Sequence, residues 1–209
     1  MRTSQVINFC FTILSVSVVA FSLFIDVNSE LYRLAHLYDS AFCFYFFIDF
    51  LINLLSASNK KDYLFKDLGL LDLLSAIPVV TEIRFLRIFR IVRLIKVYFS
   101  FQSIKIYVNR NIYQAFYVSV YLVLSYVIVI TSFFVLHFEQ VNGNIKTAGD
   151  TLWWVLITVT TVGYGDYFPI TPQGKLFATL LILCGFIAFG TFISFINNKL
   201  SRLGREKNN

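Results

Sequence analysis

Residues 5–25, 112–136 and 176–198 each run for more than twenty positions without a charged side chain. An α-helix needs about 20 residues to cross the hydrocarbon layer of a membrane. A fourth run, 41–58, is apolar apart from Asp49. A soluble core is excluded by the same composition. Of the 209 residues, 57% are hydrophobic and 14% charged, against about 25% charged in an ordinary soluble protein. The chain is therefore expected to be an all-α membrane protein.

Charge decides how many crossings there are. The pattern predicts six, at roughly 5–25, 38–58, 63–80, 83–98, 112–137 and 176–199, with a re-entrant segment at 149–168. The third carries Asp67, Asp72 and Pro78, and the fourth carries five basic residues, so hydropathy alone would pass over both. With both termini in the cytoplasm, ten Lys and Arg residues fall in cytoplasmic segments and three, Arg33, Lys146 and Lys175, fall outside. That agrees with the positive-inside rule. Removing the fourth crossing would turn the basic tail outward. The net charge of +6 thus reads as membrane topology, and no nucleic-acid partner is expected.

Cys10, Cys43 and Cys184 lie inside apolar runs without a CxxC pair and read as small buried hydrophobes. Residues 5–25 are too long for a signal-peptide core and lack a small-residue cleavage site, so they are expected to be retained. No soluble domain is expected before the first crossing or after the last. His36 and His137 are far apart and have no triad partners, so no enzyme activity and no cofactor are expected.

Residues 158–166 read TVTTVGYGD, and the stretch before them, 150–160, carries Trp153 and Trp154 and suits a short helix that stops partway into the membrane. Non-helical backbone is tolerated at that depth only where it lines a protein-enclosed, wet path. In Thr161, Val162, Gly163, Tyr164 and Gly165, glycine recurs at alternate positions. A chain that turns every carbonyl toward one axis alternates between left- and right-handed backbone, and glycine enters the left-handed region without steric cost. Trp153 and Trp154 either brace this loop or form an interfacial aromatic belt. Asp166 is placed to accept an indole N–H or to attract cations.

The whole of DTLWWVLITVTTVGYGDYFPITPQGK, residues 150–175, resembles the pore signature of voltage-gated potassium channels. The resemblance implies that carbonyls of such TVGYG loops replace the hydration shell of K+. Thr161, Val162, Gly163 and Tyr164 would hold the permeant ion, and four identical chains, a homotetramer, would surround one axis. It implies a four-helix voltage sensor over 1–98, an interfacial linker helix over 99–111, a pore domain over 112–200 and a short cytoplasmic tail over 201–209. It further implies a multi-pass protein of the cell membrane, similar to a minimal prokaryotic member, with the lipid bilayer as its surroundings and no obligatory protein partner.

Arg84, Arg87, Arg90, Arg93 and Lys96 recur every third residue between apolar pairs. At the bilayer centre each charge costs about 2.5–3.5 kcal/mol, so five unpaired would cost about 12–17 kcal/mol. Asp39, Asp49 and Asp72 are available to offset it. Asp39 and Asp49 are about 15 Å apart along a helix, and Phe46 lies one turn from Asp49 on the same face. The resemblance implies that Phe46, Asp49 and Asp72 form the site past which the basic residues step, with Asp39 as the outer partner. Relatives often carry Glu where this chain has Asp. An amphipathic helix lying on the membrane surface would also be basic and apolar by turns, but it would leave these acids without partners.

Gly185 matches the family's hinge position and Gly190 is a second soft point. Close helix packing explains glycine in membrane helices equally well. Phe192, Ile193 and Ser194 stand where many animal relatives have Pro-x-Pro, and Phe192, Phe195 and Ile196 are candidates for a hydrophobic gate. Two other readings are a non-conducting sensor that signals to a partner and a secondary cation transporter. The transporter would need inverted repeats and a midplane substrate site, and the sequence has neither.

Overall fold

The computed structural model describes residues 3–57 and 112–207, together with residues 60, 63, 69 and 73. The described residues form five helices and no strand: α1 (Thr3–Ser22), α2 (Glu30–Ser56), α3 (Ile112–Asn142), α4 (Ala148–Val159) and α5 (Pro172–Lys207). Three contain a stretch long and apolar enough to cross a membrane, Glu30–Ser56, Phe116–Asn142 and Pro172–Asn198. The third and fourth expected crossings and the linker over 99–111 lie outside the described residues, as do Asp72, Arg84, Arg87, Arg90, Arg93 and Lys96. The chain divides into two compact units, 1–110 and 111–209.

In the first unit α1 and α2 form an antiparallel hairpin. The turn between them is closed by Asp26, whose carbonyl accepts from the Ser29 N–H at 3.0 Å and from the Ser29 hydroxyl at 2.6 Å. Ser29 then caps α2, its hydroxyl oxygen accepting from the Tyr32 N–H. This cap starts α2 at Glu30, eight residues before the expected crossing. Charged Glu30 and Arg33 pair at 3.5 Å on its exposed first turn. The helix thus runs beyond the apolar stretch, and its 27 residues span about 40 Å, more than the ~30 Å hydrocarbon layer.

α2 buries Leu34, Ala35, Asp39, Phe42, Cys43, Phe46 and Phe50, a stripe at helical spacing. Much of the buried surface that α1 contributes is polar: Asn8, Thr12, Ser15 and Ser22. Apolar side chains such as Phe21 and Phe44 are exposed instead. In lipid this is the expected sense, because outward apolar groups cost nothing and inward polar groups find partners.

In the second unit α3 packs along α5, and α4 packs against both. Val135, Ile145, Trp154, Val155 and Leu181 form the buried core, extended by Phe177, Val159 and Tyr167. Phe134 lies flat on Phe177, with ring centroids 4.5 Å apart and an interplanar angle of 2°. α5 runs unbroken through Gly185 and Gly190 and continues to Lys207, past the expected end near 199. Its last turns carry Arg202, Arg205 and Lys207, which a hydropathy window rejects although nothing stops the helix there.

Candidate functional site

The site is built from the end of α4. At its start, Thr147 and Asp150 make a reciprocal capping box: the Asp150 N–H donates to Thr147 Oγ1, and the Thr147 N–H donates to Asp150 Oδ2, both at 3.1 Å. Burial alone would push the Asp150 carboxyl upward. Hydrogen bonds from Thr147, the Tyr167 phenol and the Lys146 N–H outweigh it and hold the carboxyl below its usual value. The same bond pushes the Tyr167 phenol up.

α4 ends in a β-branched run, Thr158 to Val162, which loses side-chain freedom in a helix. Beyond its last turn the N–H groups fold back. Thr160 N–H donates to Leu156 O at 3.0 Å and Thr161 N–H to Thr158 O at 3.1 Å. Val162 and Gly163 N–H groups share Ile157 O at 2.9 and 3.1 Å. Among the described residues none of the carbonyls of 161–165 accepts a hydrogen bond. All five residues are exposed on the single chain.

The backbone alternates as the glycine spacing anticipates. Gly163 has φ 56° and Gly165 φ 82°, and Thr161 joins them at φ 61°. A Cβ at Gly163 or Gly165 would meet nothing within 4 Å in the chain, so the dihedral angle and not space selects glycine. Thr161 was not expected in the left-handed region. A β-branched residue there is strained, and the back-folded N–H groups on either side hold it.

The two tryptophans have separate positions. Trp154 is buried in the core between α3 and α5. Trp153 is partly exposed, donates its indole N–H to Asp166 Oδ2 at 2.7 Å, and stacks on the Tyr164 ring at 5.8 Å and 5°. Of the alternatives for Asp166, the indole bond is therefore made.

The sequence does not mark out Glu139. It is fully buried, near the end of α3, and reaches across to the start of α5. Its Oε2 accepts from the Ile170 N–H at 3.0 Å, and its Oε1 from the Thr171 N–H at 2.8 Å and the Thr171 hydroxyl at 2.6 Å. Thr171 Oγ1 in turn accepts from the Gly174 N–H at 3.0 Å. A Cβ at Gly143 or Gly174 would collide with the Glu139 carboxylate. The carboxylate thus ties the segment leaving the TVGYG loop to α3. The sequence signal, an acid at the end of an apolar run with Asn-Gly after it, is too weak to have revealed this.

Further along α5, Gly185 lies against the end of α4, where a Cβ would sit 3.6 Å from Val159 O, whereas Gly190 faces open space. Phe192, Phe195 and Ile196 are exposed. Phe195 also meets Tyr117 of α3 edge-on at 5.4 Å. The Tyr117 oxygen accepts from Asn198 Nδ2 at 2.8 Å and lies 3.4 Å from Ser194 Oγ. This polar link between α3 and α5 was not anticipated.

In the first unit, Asp39 is buried and lines a cavity of about 10 Å³ with Ser22, Tyr32 and His36. Phe46 is 1% exposed. Asp49 Oδ2 accepts from Asn8 Nδ2 at 2.6 Å and from Asn53 Nδ2 at 3.2 Å.

Comparison with known proteins gives the family. Residues 2–208 match the ion transport protein family. A voltage-gated potassium channel from Aeropyrum pernix is 36% identical over 70 residues, 34% of this chain and 24% of that protein. The human voltage-gated potassium channel regulatory subunit KCNF1 is 24% identical over 180 residues, 76% of this chain and 36% of that protein. The human delayed-rectifier potassium channel regulatory subunit KCNS3 is 48% identical over 50 residues, 24% of this chain and 10% of that protein. The chain spans well under half the length of these relatives. It belongs to the ion transport protein family, a family of ion channels and not an enzyme class, as a multi-pass membrane protein whose likeness is to voltage-gated potassium channels.

Proposed function

We propose that the chain is one subunit of a potassium-selective, voltage-gated channel of the cell membrane, assembled as a homotetramer with both termini in the cytoplasm. In this reading six helices cross the bilayer and α4 is the re-entrant pore helix. Residues 161–165 of four copies form the selectivity filter. The observation that carries it is the alternation of left-handed backbone at Thr161, Gly163 and Gly165, with carbonyls that no N–H in the described chain engages. Such carbonyls can replace the water around a bare K+. Trp153, bonded to Asp166 and stacked on Tyr164, supports the loop from the side. Glu139 holds its exit.

Voltage would act on Arg84, Arg87, Arg90, Arg93 and Lys96. Moving 3–4 charges per subunit in a tetramer supplies about 28–37 kcal/mol per 100 mV, ample to bias a gate. Asp39, Asp49 and Asp72 would serve as countercharges, with Phe46 as the apolar partition. The gate would lie at the inner end of α5, near Phe192, Phe195 and Ile196.

A second reading, a regulatory subunit that conducts only with another channel chain, is favoured by the likeness to KCNF1 and KCNS3. Purified protein reconstituted alone in a planar bilayer decides between them. Potassium current far exceeding sodium current across a voltage ramp supports the channel. Silence at every potential favours the regulatory subunit, and equal passage of sodium and potassium overturns the filter assignment.

A further inference from the structure

The acid that the reading above makes a countercharge is held by a partner on the neighbouring helix. Asn8, one turn into α1 and 9% exposed, donates from Nδ2 to Asp49 Oδ2 at 2.6 Å. Its own carbonyl, Oδ1, accepts the Tyr45 hydroxyl at 2.5 Å. Asn53, one turn past Asp49, donates to the same carboxylate oxygen at 3.2 Å. The polarity of this chain is fixed by chemistry. Turning the Asn8 amide over would set its oxygen against the Asp49 oxygen, and a carboxylate cannot donate to it. Phenol therefore donates to amide and amide to carboxylate.

We infer that Asn8, locked by Tyr45, is a positioning residue that fixes the Asp49 carboxylate beside Phe46 as a countercharge for passing basic side chains. This rests on the proposed sensor role of α1 and α2. Both amides are neutral, so they satisfy the carboxylate without cancelling its charge, as a Lys or Arg in the same place would. A hydrogen bond to a charged group in a low-dielectric site is also among the stronger ones a protein makes. Tyr45 and Phe46 pack edge-on at 5.6 Å, so the same phenol joins the amide to the aromatic partition.

The test is a double-mutant cycle read from the conductance–voltage curve of the reconstituted protein, with potassium-over-sodium selectivity as the control. Asn8→Ala should change the balance of sensor states at fixed voltage about tenfold, in the same direction as Asp49→Asn. Tyr45→Phe should give a smaller change of the same sign, and Asn8→Gln should recover part of the loss. In an Asp49→Asn background Asn8→Ala should do nothing more, and selectivity should not move in any variant. A purely structural role would shift the curve equally in both backgrounds, and that result overturns the inference. So does an Asp49→Asn effect with none from Asn8→Ala or Tyr45→Phe. If Asp49→Asn itself leaves voltage dependence unchanged, the sensor reading fails and the inference with it. Should Asn8→Ala fail to assemble, the Tyr45→Phe arm of the cycle gives the same decision.

Discussion

Replacing Glu139 by Gln tests the link that ties the exit of the TVGYG loop to α3. The carboxylate accepts three hydrogen bonds on two oxygens from Ile170 and Thr171. A glutamine of nearly the same shape offers one oxygen and one NH2. The NH2 must then face an N–H of Ile170 or Thr171, so one part-buried donor loses its acceptor. A buried donor without a partner costs about 1–3 kcal/mol, and the bonds that survive lose their charge assistance, which gives about 2–4 kcal/mol in total. For a chain of 209 residues that is a fall of roughly 4–16 °C in unfolding temperature.

Leu at the same position leaves all three donors without an acceptor and should cost more still. Shortening to Asp keeps the charge and loses reach, and should fall between wild type and Leu. Thermal unfolding of the purified protein in detergent gives the order, and the time course of potassium current at constant voltage gives the functional consequence, a faster decay as the loop exit loosens. Gln unfolding at the wild-type temperature with wild-type current decay would refute the reasoning. So would a Gln variant less stable than Leu, because that would mean the pocket is not organised around its donors.

Gly163→Ala should abolish selective potassium conduction. The left-handed dihedral at 163 costs a side chain about 1–2 kcal/mol, and bilayer recordings that keep wild-type selectivity would count against the filter. Replacing Arg87 and Arg90 together by Gln should flatten or displace the conductance–voltage curve, and an unchanged curve would remove the sensor assignment. For Asp150, the folded carboxyl titrates below its ordinary value, so its bonds stabilise the start of α4 fully above the ordinary carboxylate range. That contribution is lost as pH falls through the depressed value. Thr147→Ala should raise the Asp150 value toward normal and weaken this acid-limb dependence. NMR titration of labelled Asp carboxyls, with stability measured against pH, checks the sign.

The sequence exposes whatever depends on neighbours in the chain. Uncharged runs locate α1, α3 and α5, and alternate glycines announce the backbone at 163 and 165, because glycine is chosen there for its own dihedral angles. Thr161 was not legible in that way. Its residue type argues against a positive φ, and only the N–H groups folded back onto Leu156, Ile157 and Thr158 impose it. Asn8 looks like an incidental polar residue in an apolar run until α2 brings Tyr45 and Asp49 beside it. Glu139 meets its partners 31 and 32 residues away, a relation no local pattern encodes. The start of α2 is not legible from hydropathy for a simpler reason: the Ser29 cap begins the helix at Glu30, in a stretch with Glu30 and Arg33 that precedes the expected crossing.

The hydrogen bonds bear on why the proposed channel would need several chains. In the described chain the N–H groups of 160–163 are satisfied by α4, and the carbonyls of 161–165 are not satisfied at all. At membrane depth each such group costs several kcal/mol unless protein or a water-lined cavity meets it. More N–H donors from the same chain would remove the cost and also the site, because a carbonyl committed to an N–H cannot coordinate a cation. In the proposed channel the remaining solution would be a polar axis walled off from lipid, of which one chain would supply only one wall. The apolar side chains exposed around α5, among them Leu176, Phe186, Phe189 and Ile193, favour burial against other copies or lipid, so the surface that would close the wall is available where the carbonyls need it. In the proposed channel assembly and ion binding would then be one requirement: the subunits would enclose the axis, and the ion would supply the positive charge that the unpaired oxygens lack.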